Sequence, residues 1–142
     1  MLSGVIRSYY LGDDGSDRTK HFHIEDQFLM DESLVDYETS ICTYEALEDC
    51  TILVVSAKKL KEIIMNNEQL QKLYMACLEQ GFKYKIAREN SFLMQSATER
   101  YIKFKKEYPN LEKRVKQLYI ATYLGIAPES LSRIRRVLRE EN

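Results

Sequence analysis

The chain has 142 residues, a length that fits one or two small domains. Apolar residues make up 44% and charged residues 30%, which favours a soluble folded protein over a disordered chain, a collagen or a coiled-coil rod. The apolar runs, such as 52–55, are far shorter than the roughly 18 residues of a membrane-spanning helix. The N-terminus also lacks a signal-peptide pattern, so we expect a cytoplasmic protein.

Charge and cysteine content narrow the class further. Cys42, Cys50 and Cys77 are an odd number without a CxxC pair, which indicates reduced thiols rather than a disulfide framework or a structural zinc site. Residues 1–67 hold 6 Lys and Arg against 13 Asp and Glu, whereas residues 68–142 hold 15 against 9. A basic second half beside an acidic first half is typical of a chain whose second part meets a polyanion.

The first 56 residues have the pattern of short antiparallel strands. Alternating residues over 5–10 are followed by turn formers at 12–17, which predicts a hairpin with a return strand over 18–24. Further strands are predicted over 28–30, 39–47 and 51–56. Five strands in fewer than 60 residues predict an all-β first half.

Helical spacing begins after this region. A helix is predicted over 58–66, and a second one over 68–95 would be on the order of 42 Å long. Two apolar stripes follow the long helix: Leu70, Leu73 or Tyr74, Cys77, Gly81 and Tyr84 in one, and Leu78, Phe82, Ile86 and Leu93 in the other. We expect one stripe to contact the β half and the other a second copy, with Gly81 allowing close approach. The alternative is a monomeric helix that Gly81 only weakens.

Two more helices are predicted before the C-terminal segment. Residues 97–106 form an amphipathic helix whose apolar side includes Tyr101, Phe104 and Tyr108, and it ends before Pro109. A short helix over 110–115 follows.

Residues 117–136, QLYIATYLGIAPESLSRIRR, have the pattern of a helix-turn-helix. Ala121 lets two helices cross closely, and Gly125 permits the positive φ of a tight turn. Pro128 opens the second helix, which Leu131 and Ile134 anchor on the first.

The remaining face of the second helix is predicted to bind DNA. It carries Pro128, Glu129, Ser132, Arg133, Arg136 and Arg139. A helix with such a face fits the major groove of a DNA duplex. The arginines of this helix, with Lys113, Arg114 and Lys116 before the motif, supply charge for DNA phosphates. A purely structural helical corner is the alternative.

Four segments together resemble the Crp/Fnr family of bacterial transcription regulators, particularly its short Bacteroidetes members. SGVIRSYYLGDDG is similar to a strand pair in the middle of the family's cyclic-nucleotide-binding-like barrel, and TYEALEDCTILVVS to its last two strands. The helix over 68–95 resembles the family's dimerisation helix. NSFLMQSATERYIKFKKEYP and YLGIAPESLSRIRRVL resemble the linker helices and the DNA-reading head.

The resemblance implies an α+β architecture in three parts. These are a partial antiparallel β jelly-roll over 1–67, similar to the cyclic-nucleotide-binding domain, a dimerisation helix over 68–95 and a helix-turn-helix DNA-binding domain over 96–142. The chain begins at what resembles the middle of the barrel and ends before any wing hairpin. We therefore expect a shortened β domain with open strand edges that require pairing.

The resemblance also implies a homodimer that binds double-stranded DNA at a two-fold site, with half-sites about one helical turn apart. The family's base-reading positions fall on Pro128, Glu129 and Arg133. Glu129 keeps a carboxylate that accepts from cytosine, and Arg133 keeps a guanidinium that binds guanine. Pro128 departs from the family because it has no side-chain donor, so the first base contact is expected to be absent.

The sequence does not identify a small-molecule effector, but a cyclic nucleotide is not expected. Nucleotide-binding members carry a Gly-Glu pair and an Arg-Ser pair where this chain has FLMDESLVDYETS. Thr39 stands where the phosphate-binding arginine would be, and a buried phosphate without that cation loses a few kcal/mol of binding, to order of magnitude. Asp31, Glu32 and Glu38 add negative charge to the same region.

Other functions are predicted to be absent. His21 and His23 share a strand face, but no third metal ligand is near in sequence, so neither a metal nor another cofactor is expected. The chain has no Gly-rich phosphate loop, GxSxG or HExxH, so we do not expect an enzyme. The alternative function is a dimeric interaction module, or a degenerate regulator, whose helix-turn-helix does not bind DNA.

Overall fold

The structure is a computed structural model that describes residues 1–29 and 39–140. Within these residues three antiparallel strands form one sheet: β1 (Ile6–Leu11), β2 (Asp17–His23) and β3 (Thr43–Ala46). The strand order is β2-β1-β3, so β1 lies in the centre. Ile6 pairs with His23 on one side and with Ala46 on the other. The predicted hairpin of β1 and β2 is confirmed, with an irregularity in the pairing between Ser8 and Tyr9.

The sheet has fewer strands than the five predicted from the sequence. Thr51 forms only an isolated bridge with Ser3, and 52–55 do not pair as a strand. Leu53 is 81% exposed, so this apolar run adds nothing to the core. Phe28 and Leu29, the described part of the predicted strand over 28–30, are not in a strand either. β-Propensity alone does not make a strand, because a strand also needs a neighbour for its backbone hydrogen bonds.

Five helices follow in the described residues: α1 (Ala57–Met65), α2 (Glu68–Met94), α3 (Ala97–Glu107), α4 (Gln117–Leu124) and α5 (Pro128–Glu140). The side chain of Asn67 accepts a hydrogen bond from the Leu70 amide and caps α2. Ser96 and Glu99 form a reciprocal capping box at the start of α3. The short helix predicted over 110–115 is instead a 3-10 turn, Leu111–Lys113, preceded by Asn110 in the left-handed conformation.

One hydrophobic core joins the sheet to the C-terminal helices. Phe22 of β2 is fully buried, and its ring centre lies 6.1 Å from that of Phe104, 6.0 Å from that of Tyr108 and 5.4 Å from that of Tyr123. We call residues 97–140 the helical head. The head and the sheet therefore fold around shared side chains, and burying Phe22 contributes roughly 1.5–3 kcal/mol.

The contacts divide the chain into two compact units. The first comprises Met1–Leu29, Ile41–Ile52 and Ser96–Asn142, and the second Met30–Ser40 and Leu53–Gln95. This grouping differs from the predicted division at 67/68 and 95/96, because residues 96–142 cluster with the sheet. Division into a β domain, a dimerisation helix and a DNA-binding domain stays a prediction about function. No helix among the described residues is long and apolar enough to cross a membrane.

Candidate nucleic-acid interface

Helix α4 and helix α5 are joined by the tight turn that the sequence predicts. Gly125 ends α4 with a φ of 68°, and the Ile126 amide donates to the Ala121 carbonyl at 3.0 Å. A left-handed residue followed by such a bond is the usual way to end a helix and reverse the chain. Ala121 is fully buried, as is Leu131 of α5, and both belong to the same hydrophobic core.

Helix α5 is strongly amphipathic. Leu131 is buried in the core, and Ile134 and Leu138 pack against it. The opposite side is exposed and consists of Glu129, Ser132, Arg133, Arg136 and Arg139, which we call the reading face. These residues recur at helical spacing and lie on one surface, as the sequence predicts. Pro128 is the first residue of α5 and is half-buried.

Gln117, which the sequence analysis did not identify, holds the first turn of α5. Its Nε2 donates to the Ser132 Oγ at 2.6 Å and to the Pro128 carbonyl at 3.4 Å. A glutamine at the start of α4 has no sequence signal that links it to a serine 15 residues later. Ser132 is thus exposed but already accepts one hydrogen bond.

Two of the predicted phosphate-binding arginines are engaged inside the protein. Arg114 binds Glu25 with both terminal nitrogens, at 3.1 and 2.5 Å, and also pairs with Glu48. Arg135 of α5 lies 3.5 Å from Glu112. Both guanidinium groups are partly exposed but already paired with carboxylates, which the sequence did not reveal, and their contribution to phosphate binding stays a prediction. Lys113 and Lys116 are exposed beside the motif.

Ion pairing and burial shift the pKa values of three groups in this region, Glu25, Arg114 and Tyr101. Hydrogen bonds from Arg114 lower the pKa of Glu25 to about 2, and hydrogen bonds to Glu25 and Glu48 raise that of Arg114 above its usual range. Burial, followed by the 2.7 Å hydrogen bond to Glu112, raises the pKa of Tyr101 to about 12. Glu112 thereby links α3 to Arg135 of α5.

The β half shows no metal site among its described residues. The His21 Nδ1 lies 3.3 Å from the Tyr108 hydroxyl, and the His23 Nε2 lies 3.1 Å from the Ser8 Oγ. No group of three His, Cys, Asp or Glu within the described part of the chain is placed to hold a metal ion. Asp31, Glu32 and Glu38 lie outside the described residues, so the prediction about cyclic nucleotide stays a prediction.

The two apolar stripes of α2 are exposed to different extents. In the first, Leu70, Tyr74, Cys77 and Tyr84 are half-buried. In the second, Phe82 is 66% exposed and Leu93 is 75% exposed, and Ile86 between them is half exposed. A methyl group added at Gly81 would meet open space, so nothing within the described chain requires a glycine there.

Comparisons with known proteins agree with this architecture. The sequence model of the cyclic nucleotide-binding domain matches residues 1–67. FixK2 from Bradyrhizobium japonicum superposes with a TM-score of 0.83 at 21% identity, over 99% of this chain and 73% of that one. The chain has the Crp/Fnr fold. The predicted resemblance to Crp/Fnr regulators and the α+β class are therefore confirmed, whereas the resemblance to Bacteroidetes members in particular stays a prediction.

Other Crp/Fnr structures are similar over comparable lengths. A protein assigned to the Crp/Fnr transcriptional regulators from Eubacterium rectale has a TM-score of 0.72 at 22% identity, over 98% of this chain and 67% of its own. The catabolite activator protein of Thermus thermophilus has a TM-score of 0.54 at 19% identity, over 99% and 68%. No curated protein matches the sequence.

Proposed function

We propose that the protein is a transcription regulator that binds double-stranded DNA as a homodimer through α4 and α5. The observation that carries the proposal is the reading face, an exposed and mainly basic surface on the second helix of a well-formed helix-turn-helix. Such a helix is placed in a major groove by contacts to phosphates and reads sequence by contacts to base edges. The Crp/Fnr fold of the whole chain supports this use of the motif.

Glu129 and Arg133 are the proposed base readers. They lie one helical turn apart near the start of α5, both side chains are exposed, and neither pairs with another described residue. A carboxylate accepts from cytosine N4, and a guanidinium donates two bonds to guanine O6 and N7. Pro128 contributes no base contact because it lacks a side-chain donor.

The remaining residues of the interface bind the DNA backbone. Arg136 and Arg139 extend the positive surface along α5, and Lys116 lies at the start of α4. Ser132, oriented by Gln117, offers a hydroxyl to a phosphate. Each neutralised phosphate makes the binding constant more sensitive to salt.

Dimerisation is proposed along α2. Its second stripe exposes Phe82, Ile86 and Leu93 at spacings of four and seven residues, which form a single apolar line on the helix. Covering such a line against an identical helix removes it from water and places two helical heads on one DNA site. A two-fold site with half-sites about one helical turn apart follows from this symmetry.

The proposed effector is not a cyclic nucleotide, because Thr39 replaces a cation at the expected phosphate position. Neither an enzymatic activity nor a metal or other cofactor is part of the proposal. We place the regulator in the cytoplasm, where bacterial DNA is accessible.

Titration of a labelled pool of duplex DNA, followed by anisotropy at two salt concentrations, tests the proposal. We expect binding that weakens steeply with salt. After a preferred site has been selected, Arg133→Ala should weaken that site by about tenfold and relax the preference for one base pair, since a bidentate contact discriminates by roughly 1–3 kcal/mol. Lys103→Ala on α3 is the matched control, because it removes one exposed charge outside the reading face.

Absence of binding at low salt would overturn the proposal. A dimeric interaction module would then be the better interpretation, and replacing both Arg133 and Arg136 by alanine would leave its partner binding intact. Equal losses of affinity for Arg133→Ala and Lys103→Ala would indicate that α5 is a general basic surface that does not read bases.

A further inference from the structure

Arg7 is a buried cation on the central strand of the sheet. The proposed function gives this residue no role. Its side chain is 2% exposed, although arginine is rarely buried without partners. Both terminal nitrogens bind the Asp17 carboxylate of β2 at 2.9 Å, and Nε and Nη2 bind Glu45 of β3 at 3.0 and 2.6 Å. Arg7 therefore joins all three strands, and its guanidinium plane is fixed by a bidentate pair.

The fixed guanidinium contacts the first helix of the helix-turn-helix. Its Cζ lies 3.8 Å from the ring centre of Tyr119 in α4 and 4.2 Å from that of Tyr9 in β1. The Tyr119 hydroxyl also lies 3.4 Å from Glu45, the same carboxylate that binds Arg7. A fixed cation over the face of an aromatic ring is attracted to that face and favours one position of the ring.

A second contact lies one turn further along α4. The Thr19 and Thr122 hydroxyls are 2.7 Å apart, and Thr122 follows Tyr119 by three residues on the same side of the helix. Two contacts along one side fix both the rotation of α4 about its axis and its tilt on the sheet. Because α5 packs on α4 through Ala121 and Leu131, the sheet also sets the position of α5.

We propose that Arg7 is a positioning residue for DNA reading, which acts through Tyr119 to hold α4, and with it the reading face of α5, in a single orientation on the sheet. The sheet then serves as a platform for the helical head in addition to any sensing role. This inference rests on the proposed function for its DNA readout, but the coupling between Arg7 and α5 is a property of the fold. Burial acts to lower the pKa of Arg7, but the hydrogen bonds and charges of Asp17 and Glu45 together hold it above its usual value.

The test uses the full chain with Tyr119→Leu, which removes the ring, and Tyr119→Phe, which keeps it and removes the hydroxyl. Dissociation constants are measured for the selected site and for an unrelated duplex of equal length at two salt concentrations. Amide hydrogen exchange is measured in parallel over residues 128–140. Ile102→Ala, which truncates a partly exposed apolar side chain on α3, is the matched control.

Tyr119→Leu is expected to weaken the selected site at least tenfold, while binding of the unrelated duplex and the salt slope change less than twofold. A general basic surface tolerates a misplaced helix, whereas base contacts do not. Exchange over 128–140 should accelerate at least fivefold although Tyr119 lies outside that helix. Tyr119→Phe and Ile102→Ala should stay within twofold of the parent protein in every measurement.

Unchanged exchange over 128–140 in Tyr119→Leu, or equal weakening of both duplexes, overturns the proposal. If Tyr119→Leu fails to fold, Thr122→Val replaces it as the milder disruption of the same side of α4, with an expected threefold loss at the selected site and faster exchange over 128–140. If the parent protein binds neither duplex, the proposed function fails, and the exchange experiment still decides whether the Tyr119 ring, on which Arg7 lies, positions α5.

Discussion

The two units of the chain differ in how far their large apolar side chains are buried. In the unit of the sheet and the helical head, the large aromatic residues meet in one core, and the buried cation Arg7 has two carboxylate partners. Among the described residues, no buried side-chain nitrogen or oxygen lacks a hydrogen-bond partner. In the second unit, which contains α1 and α2, α2 exposes a line of large apolar residues. The first unit buries its large apolar side chains, whereas the second leaves several of them exposed on α2.

The largest effect is expected where the first unit is most completely packed. Phe22→Ala removes a fully buried ring that contacts α3 and α4 from the sheet, and such truncations cost roughly 3–5 kcal/mol. Because sheet and head share this core, both should lose stability together. Urea unfolding with hydrogen exchange read separately over β1 and α5 measures the loss.

If Phe22→Ala lost protection from hydrogen exchange in β1 alone, the head would be stable by itself. That result would contradict a core shared by the sheet and the head. Leu53→Ala is the matched control, because Leu53 is 81% exposed and its truncation leaves no cavity. We expect it to change the free energy of unfolding by less than about 0.5 kcal/mol.

The second largest effect is expected on dimer stability, from a substitution on the exposed apolar line of α2. Phe82→Glu places two carboxylates in the proposed dimer seam, and an uncompensated buried charge costs roughly 3 kcal/mol or more. The dissociation constant of the dimer should therefore rise by about a hundredfold, as measured by analytical ultracentrifugation. Lys83→Glu is the matched control on the polar side of the same helix and should leave the dimer intact.

Equal weakening by both variants would indicate a general charge effect rather than a seam through Phe82. A parent protein that is a monomer at micromolar concentration would contradict dimerisation along α2.

Sequence periodicity predicted the helices and the helix-turn-helix closely, because these depend on contacts between residues a few positions apart. Gly125 and Ala121 have the conformation and burial that their residue types indicate. The run 52–55 was predicted wrongly as part of a strand, since strand pairing depends on distant neighbours that local propensity does not reveal. The partners of Arg114 and Arg135 escaped prediction for the same reason: a basic residue has the same sequence signal whether it faces solvent or a distant carboxylate.

The smallest predicted effect concerns the exposed ion pair of Arg114 with Glu25. Hydrogen bonds from Arg114 lower the pKa of Glu25 from 4.5 to about 2 in the folded state, so between these values the unfolded chain binds more protons. The stabilisation is fully present above pH 4.5 and is lost as the pH falls through about 2. Glu25→Gln should therefore lower the urea midpoint at pH 6, and its difference from the parent should shrink steadily below pH 4.5.

The Glu25→Gln variant removes the charge of this pair and keeps the size of the side chain. Its side-chain amide keeps an oxygen that can accept the 3.2 Å hydrogen bond from the Gly4 amide, whereas the interaction with Arg114 loses its charge and one of its two hydrogen bonds. Glu79→Gln on α2 removes a charge of the same sign away from this pair and serves as the control. A difference between Glu25→Gln and the parent that stays constant from pH 6 to pH 3 would show that Glu25 stabilises the turn through hydrogen bonds alone. In that case the negative charge of Glu25 would add nothing to the hold on Arg114, and the ion pair of Arg114 with Glu48 would be its remaining ionic contact among the described residues of this region.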